Sequence, residues 1–224
     1  MVTNLAYFYE TSRKTRGGKW VWVKDSNGEQ RGNVLLGGTI LNPKKGFDHL
    51  YAAQLVQYTP AVGCLIFRSF AIKTASGASA TTIYVNGDGY GDAPEVGMLI
   101  MKAPSAANGT GQSAAITAVE YDEENERFEL TIGTALGALS VGDILVEASG
   151  TTASASATVL VPKPNTFVEA DRDLMPTENY GLNGTANYSI STVYNKQAWI
   201  QRMQPLPAYV LANNRSLIDG IFWI

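Results

Sequence analysis

Cysteine and histidine are almost missing from this chain. Each occurs once in 224 residues, as Cys64 and His49. One cysteine leaves no partner for an intrachain disulfide. A zinc site would need more His or Cys than the chain holds, unless subunits shared ligands. A Cys/His nucleophile pair would have to be these two residues, and neither lies in a recognisable motif. Cys64 sits in Val62-Gly63-Cys64-Leu65-Ile66-Phe67 and reads most simply as a small buried hydrophobe. Charge is scarce too. Charged residues make up 17 % of the chain, against about a quarter in an average globular protein. The formal net charge is -3 and no basic stripe is present, so nucleic acid is not an expected partner. No apolar run approaches the roughly 18 residues of a membrane-spanning helix, so a membrane is not expected either. Residues Met1 to Tyr7 have neither a basic region nor a long apolar stretch, so no signal peptide is expected and assembly in a cytoplasm is.

What fills the chain instead is Gly, Ala, Ser, Thr and Asn around an apolar content of 45 %. That is enough to build a core, and the mix suits strands joined by many turns, with subunit contacts hiding much of the surface. One phrase occurs twice. Val96-Gly97-Met98-Leu99-Ile100-Met101-Lys102-Ala103 is echoed, 45 residues on, by Val141-Gly142-Asp143-Ile144-Leu145-Val146-Glu147-Ala148. Each copy reads as a Gly turn feeding a buried strand, so the repeat predicts a small β-domain of two similar halves.

Other strands are legible around it. Lys19-Trp20-Val21-Trp22-Val23-Lys24 alternates with period two, placing the tryptophans on one face. Val34-Leu35-Leu36 and Thr39-Ile40-Leu41 flank Gly37-Gly38, read as a turn or bulge. Tyr51 to Val56 reads as a strand or one helical turn, and Cys64 to Ile72 as one strand. Thr81 to Val85 is a strand, and Ser113–Tyr121 with Arg127–Ile132 form a hairpin around Asp122-Glu123-Glu124-Asn125-Glu126. Tyr188 to Tyr194 is a further strand, and Ala208 to Asn214 one or two helical turns after Pro207. Two Ala/Ser/Thr-rich runs, 74–80 and 148–157, read as hinges. They divide the chain into an N-terminal part of a base (1–72), an inserted β-domain (73–150) and a C-terminal part of the base that also oligomerises (151–224). The expected fold class is mainly β, with a small β-barrel or β-sandwich inserted into a base.

Candidate chemistry is thin. Asn86-Gly87-Asp88-Gly89-Tyr90-Gly91-Asp92 has oxygen ligands at short spacing, but Tyr90 stands where a fifth ligand belongs and no Glu occupies the twelfth position. A Gly-rich turn is the simpler reading. The acidic turn 122–126 suits a cation, a basic partner or plain solvent. Nothing sets a pair of carboxylates apart for glycoside hydrolysis. No cofactor, metal site or catalytic residue is therefore expected. The aromatics suit an interface or core, and also a glycan-binding surface. The interface candidates are Trp20, Trp22 and Trp199, with the apolar ending Phe222, Trp223 and Ile224.

The layout resembles head-fibre and capsid-decoration proteins of tailed bacteriophages, particularly the crAss-like and related phages of gut Bacteroidetes. The likeness is carried by Gly37-Gly38-Thr39-Ile40-Leu41 and Ala61-Val62-Gly63-Cys64-Leu65-Ile66, by the unit from Thr81-Thr82-Ile83-Tyr84-Val85 to the second repeat phrase, and by the ending from Pro205-Leu206-Pro207 to Ile218-Asp219-Gly220-Ile221-Phe222-Trp223-Ile224. It implies a structural virion protein on the capsid surface that attaches to the major capsid protein, forms a homo-oligomer with a trimer favoured, and has no catalytic residues. The alternative is a carbohydrate-binding or adhesin module, with a host-surface glycan as partner.

Overall fold

The computed structural model describes residues 35–42, 48–51, 53–59, 62–87, 92–168, 172–174, 186–193, 197–198, 203–212 and 222–223. These residues are mainly β, with one short helix among them. In chain order the strands are β1 (Leu35–Ile40), β2 (Asp48–Leu50), β3 (Leu55–Thr59), β4 (Gly63–Ile66), β5 (Ser69–Thr74) and β6 (Thr82–Asn86). Then come β7 (Leu99–Lys102), β8 (Thr110–Gly111), β9 (Ser113–Asp122), β10 (Arg127–Ile132), β11 (Ile144–Glu147) and β12 (Ala157–Thr158). The last are β13 (Thr166–Val168), β14 (Arg172–Leu174), β15 (Ala186–Val193), β16 (Gln197–Ala198) and β17 (Phe222–Trp223), with helix α1 (Ala208–Ala212) between β16 and β17.

The chain divides into two compact units. The first takes residues 1–66, 163–203 and 214–224, and the second 67–162 and 204–213. In the first unit, five strands close a barrel in the order β1-β15-β13-β3-β4. All neighbours are antiparallel except β1 and β4, which close the ring in parallel at Ile40 and Cys64. Ile40, Leu50, Val56, Cys64, Ile66 and Val168 form its core, with Tyr58 packed against them. Two asparagine side chains extend the ladders. Asn42 receives the Ile66 N–H on Oδ1 at 2.8 Å and donates Nδ2 to the Ile66 carbonyl at 2.9 Å. Asn165 does the same to Tyr58, at 2.8 Å each way. A carboxamide carries a donor and an acceptor side by side, so it completes a rung where no strand lies alongside. The turn expected at Gly37-Gly38 is not formed. Both glycines lie inside β1, opposite Ser189 and Tyr188 of β15, because the long partner strand pairs with β1 along its whole length.

The apolar run from Cys64 to Ile72 is not one strand. It breaks at Phe67-Arg68 into β4 and β5, which belong to different units. The second unit therefore begins before the expected residue 73 and runs past residue 150. β5 brings Phe70 and Ile72 into the core at one end, and buried Val159 and Val161 follow β12 at the other. Both Ala/Ser/Thr runs lie inside this unit. Ser76 bridges Leu139, Ala148 bridges Val159, and Ser154 bonds Ser113.

Six antiparallel strands close the second barrel in the order β10-β6-β5-β11-β7-β9. Closure leaves no unpaired edge within the ring. Its core contains Phe70, Ile72, Ile83, Val85, Ile100, Ala114, Ile116, Leu130, Ile132 and Leu145. The 45-residue repeat is a pseudo-two-fold axis. It relates β6 and β7 to β10 and β11, and at an offset of 44 residues β5 to β9, and leaves the strand order unchanged. On the seam between β7 and β11, Met101 faces Val146, its own equivalent, while Leu145–Lys102 and Glu147–Ile100 exchange. On the seam between β6 and β10, Tyr84 faces its equivalent Glu129. Backbone bonds repeat as well. Ala103 N–H donates to Ile144 O and Ala148 N–H to Leu99 O, both at 2.8 Å. Gly97 N–H reaches Ile116 O at 2.8 Å, and Gly142 N–H reaches Ile72 O at 2.9 Å. Gly97 and Gly142 both have positive φ, +96° and +86°, a conformation that costs residues with a Cβ and not glycine. Ser69 and Ser113, equivalent and fully buried, each use their hydroxyl on a carbonyl outside the six strands. Ser69 Oγ donates to Pro205 O at 2.5 Å and Ser113 Oγ to Ser154 O at 3.3 Å. Through Ser69, and through Gln204 Nε2 on Phe67 O at 3.1 Å, the segment before α1 is fastened to the start of β5.

Candidate functional site

Two side-chain clusters stand out in the second unit, one buried and one on its surface. The buried one is centred on Arg68, between β4 and β5. Its side chain is 1 % exposed. Nε donates to Asp92 Oδ2 at 3.1 Å and Nη1 to Glu147 Oε2 at 3.3 Å. Asp92 is equally buried and Glu147 nearly so, at 2 % and 14 %. A guanidinium keeps its proton at every physiological pH, so this cation cannot act as an acid or base. Desolvating these charges offsets much of their attraction. What the cluster supplies is geometry. It ties the segment before β7, the end of β11 and the chain entering β5 to one point. Asp92, the last residue of the Asn86–Asp92 loop, thus places its Oδ2 on Arg68. Residues 88–91 of that loop lie outside the described residues.

Glu147 and Lys102 occupy equivalent places in the two halves yet carry opposite charge. Lys102 Nζ donates to Asp143 Oδ2 at 2.6 Å, and the Ser140 N–H donates to the same oxygen at 2.8 Å. The bond from Lys102 first, and that from Ser140 second, hold the Asp143 carboxyl below its ordinary pKa.

The surface cluster is the hairpin of β9 and β10. Side chains alternate across it. Val119, Tyr121 and Phe128 stand on the core side, and the Tyr121 and Phe128 rings lie 4.9 Å apart at 49°. Tyr121 OH donates to Gly87 O at 3.2 Å, while 48 % of the residue stays exposed. On the outer face, the Arg127 guanidinium sits 4.2 Å from the centre of the Tyr84 ring, a cation–π contact. Arg127 Nε donates to Asp122 Oδ2 at 2.9 Å. At the turn, Asp122 Oδ1 accepts the Asn125 N–H at 3.1 Å and Oδ2 accepts Asn125 Nδ2 at 2.8 Å. These bonds, the Asn125 amide foremost and Arg127 after it, lower the Asp122 pKa. Residues 117–132 hold six acidic side chains and one basic one. The cluster is a fixed, acidic, aromatic-lined surface suited to contact. No nucleophile and base are paired in it.

Of the interface candidates, Trp20, Trp22, Trp199 and Ile224 lie outside the described residues. Phe222 and Trp223 form β17, paired in parallel with Gln197 and Ala198 of β16. His49 lies in β2 opposite Asp173 of β14, and Cys64 lies in β4. Burial pushes the Cys64 thiol up to about 11, which keeps it protonated and a poor nucleophile near neutral pH. Among the described residues, no three His, Cys, Asp or Glu side chains gather as a metal site needs. None of the described helices is long and apolar enough to cross a membrane. Sequence reasoning missed Arg68. The signal was available: a lone charge, Arg68, followed by Ser69, interrupts the apolar run Cys64-Leu65-Ile66-Phe67-Arg68-Ser69-Phe70-Ala71-Ile72. No family model matches this sequence, and no curated protein matches it.

Proposed function

We propose that this protein is a structural, non-enzymatic component of a bacteriophage head: a head fibre or decoration protein that attaches to the major capsid protein and assembles as a homo-oligomer, with a trimer favoured. In this reading the unit containing β1, β3, β4, β13 and β15 is the capsid-docking base, and the six-stranded barrel is the inserted domain that projects. The proposal rests on the resemblance stated above. The observation that best supports it is how the second unit uses its polar groups. Arg68, Ser69, Ser113 and the Asp122–Arg127 pair all fix backbone or bury charge, as a rigid building block requires. Immunogold labelling of virions whose genome encodes the chain tests it. Label on the heads is the expected result. Protein confined to the soluble fraction, with none on purified particles, overturns the proposal. Light scattering tests the oligomer, which should have three times the single-chain mass.

A second reading, a carbohydrate-binding or adhesin module, is favoured by the half-exposed Tyr121 on the hairpin. Aromatic faces of this kind stack on sugars. A glycan array that detects binding, lost on Tyr121→Ala, would support this reading.

A further inference from the structure

We infer that the six-stranded barrel consists of two interchangeable halves, and that the face by which one half grips the other is a docking surface for the matching half of a second copy of this chain. The seams carry the inference. Two of the six lie within a half, between β5 and β6 and between β9 and β10. The other four join the halves: β6 to β10, β7 to β9, β7 to β11 and β5 to β11. β7 pairs with no strand of its own half. It lies between β9 and β11, as its equivalent β11 lies between β5 and β7. Neither half can satisfy its ladders without the other.

The interface is also self-complementary. The seams of β6 with β10 and of β7 with β11 map onto themselves under the 45-residue shift. The seam of β7 with β9 maps onto that of β11 with β5: Leu99, Ile100 and Met101 face Ala115, Ala114 and Ser113, as Ile144, Leu145 and Val146 face Ala71, Phe70 and Ser69. The core repeats too, with Val85 matching Leu130 and Ile100 matching Leu145 at 45 residues and Ile72 matching Ile116 at 44. The hairpins within the halves differ in register, Ile72 pairing Val85 where Ile116 pairs Ile132. A two-fold interface of this kind is the geometry of an isologous dimer, here formed within one chain. Its hydrogen bonds and apolar contacts are the same whether the partner half is in cis or in trans. The connection 103–112 supplies no buried residue. It carries the Ala103 N–H that donates to Ile144 O and the short strand β8, which pairs with β12. It also sets the local concentration, which favours cis closure in a dilute single chain and yields to exchange where copies are crowded.

Complementation between two full-length chains tests this. One chain carries Ile83→Asp and Ile100→Asp and so has a spoiled first half. The other carries Leu130→Asp and Leu145→Asp and has a spoiled second half. Unpaired charge at these buried positions prevents either barrel from closing alone. The two are unfolded together, refolded as a mixture, and amide exchange at Ala103 and Ala148 is compared with each variant refolded alone. The expected result is recovered protection in about half of the chains, since each exchanged pair contains one intact barrel and one spoiled one. The exchanged pair also elutes with twice the single-chain mass or a multiple of it. A mixture no better protected than its components overturns the inference. Co-purification without recovered protection overturns it as well, because contact through the first unit alone would give that result. The test does not depend on the virion reading, so the two stand or fall separately.

Discussion

If the pseudo-two-fold axis governs the energetics of the second barrel, Ile100→Ala and Leu145→Ala should cost the same. Both side chains are fully buried, at equivalent places on β7 and β11. Each substitution removes three carbons. At about 0.8 kcal/mol per buried CH₂ the transfer loss is roughly 2.4 kcal/mol. The cavity left between closed walls raises this to about 3–4 kcal/mol. The unit holds about a hundred residues, so its thermal midpoint should fall by roughly 12–30 °C. Native-state amide exchange reads each unit separately. Ala103 and Ala148, which bond across the β7–β11 seam, should lose protection in both variants. Leu41, whose N–H donates to Cys64 O in the first unit, should keep its own. The two losses should agree within about 1 kcal/mol, whereas unrelated core sites scatter over about 2–5 kcal/mol. A difference above about 2 kcal/mol would refute equivalence of the halves. An equal loss at Leu41 would refute independence of the units.

Arg68→Met should destabilise the second unit by about 3–5 kcal/mol, because buried Asp92 and Glu147 lose their cation. Adding Asp92→Asn and Glu147→Gln should restore most of that in urea titrations; no recovery would mean that Arg68 acts by packing alone. The Asp143 carboxyl, lowered by Lys102, stabilises the fold above its unfolded pKa, near 4, and the contribution fades as pH falls through the lower folded value. Lys102→Met should move the Asp143 carbon resonance titration upward and reduce that acid-side increment, leaving the part that the Ser140 N–H supplies. Cys64 should resist a thiol reagent at pH 8 in the folded protein and react fully in denaturant, since its thiol is buried with a pKa of about 11. Gly142→Ala should cost about 1–2 kcal/mol by calorimetry: its φ is +86° and no atom lies within 4 Å of the new Cβ, so strain alone opposes it.

Local pattern was sufficient wherever one residue type dictates one backbone choice. The Gly turns before β7 and β11 need positive φ, and the strands after them are continuously apolar because both faces are covered. The β9–β10 hairpin, β6 and α1 were legible for the same reason, and the 45-residue echo announced the two halves. Other features depend on partners distant in sequence. Gly37-Gly38 looks like a turn until β15 pairs along it. Cys64 to Ile72 looks like one strand, and only the burial of Arg68 against Asp92 and Glu147, 24 and 79 residues away, shows where the chain changes unit. The Ala/Ser/Thr runs look like hinges because small residues carry little packing information, yet Ala148 and Ser154 are held by Val159 and Ser113. Strand order, register and the two-fold axis are likewise tertiary facts. A strand's composition states that it will be covered, and the closed ring alone determines by which strand.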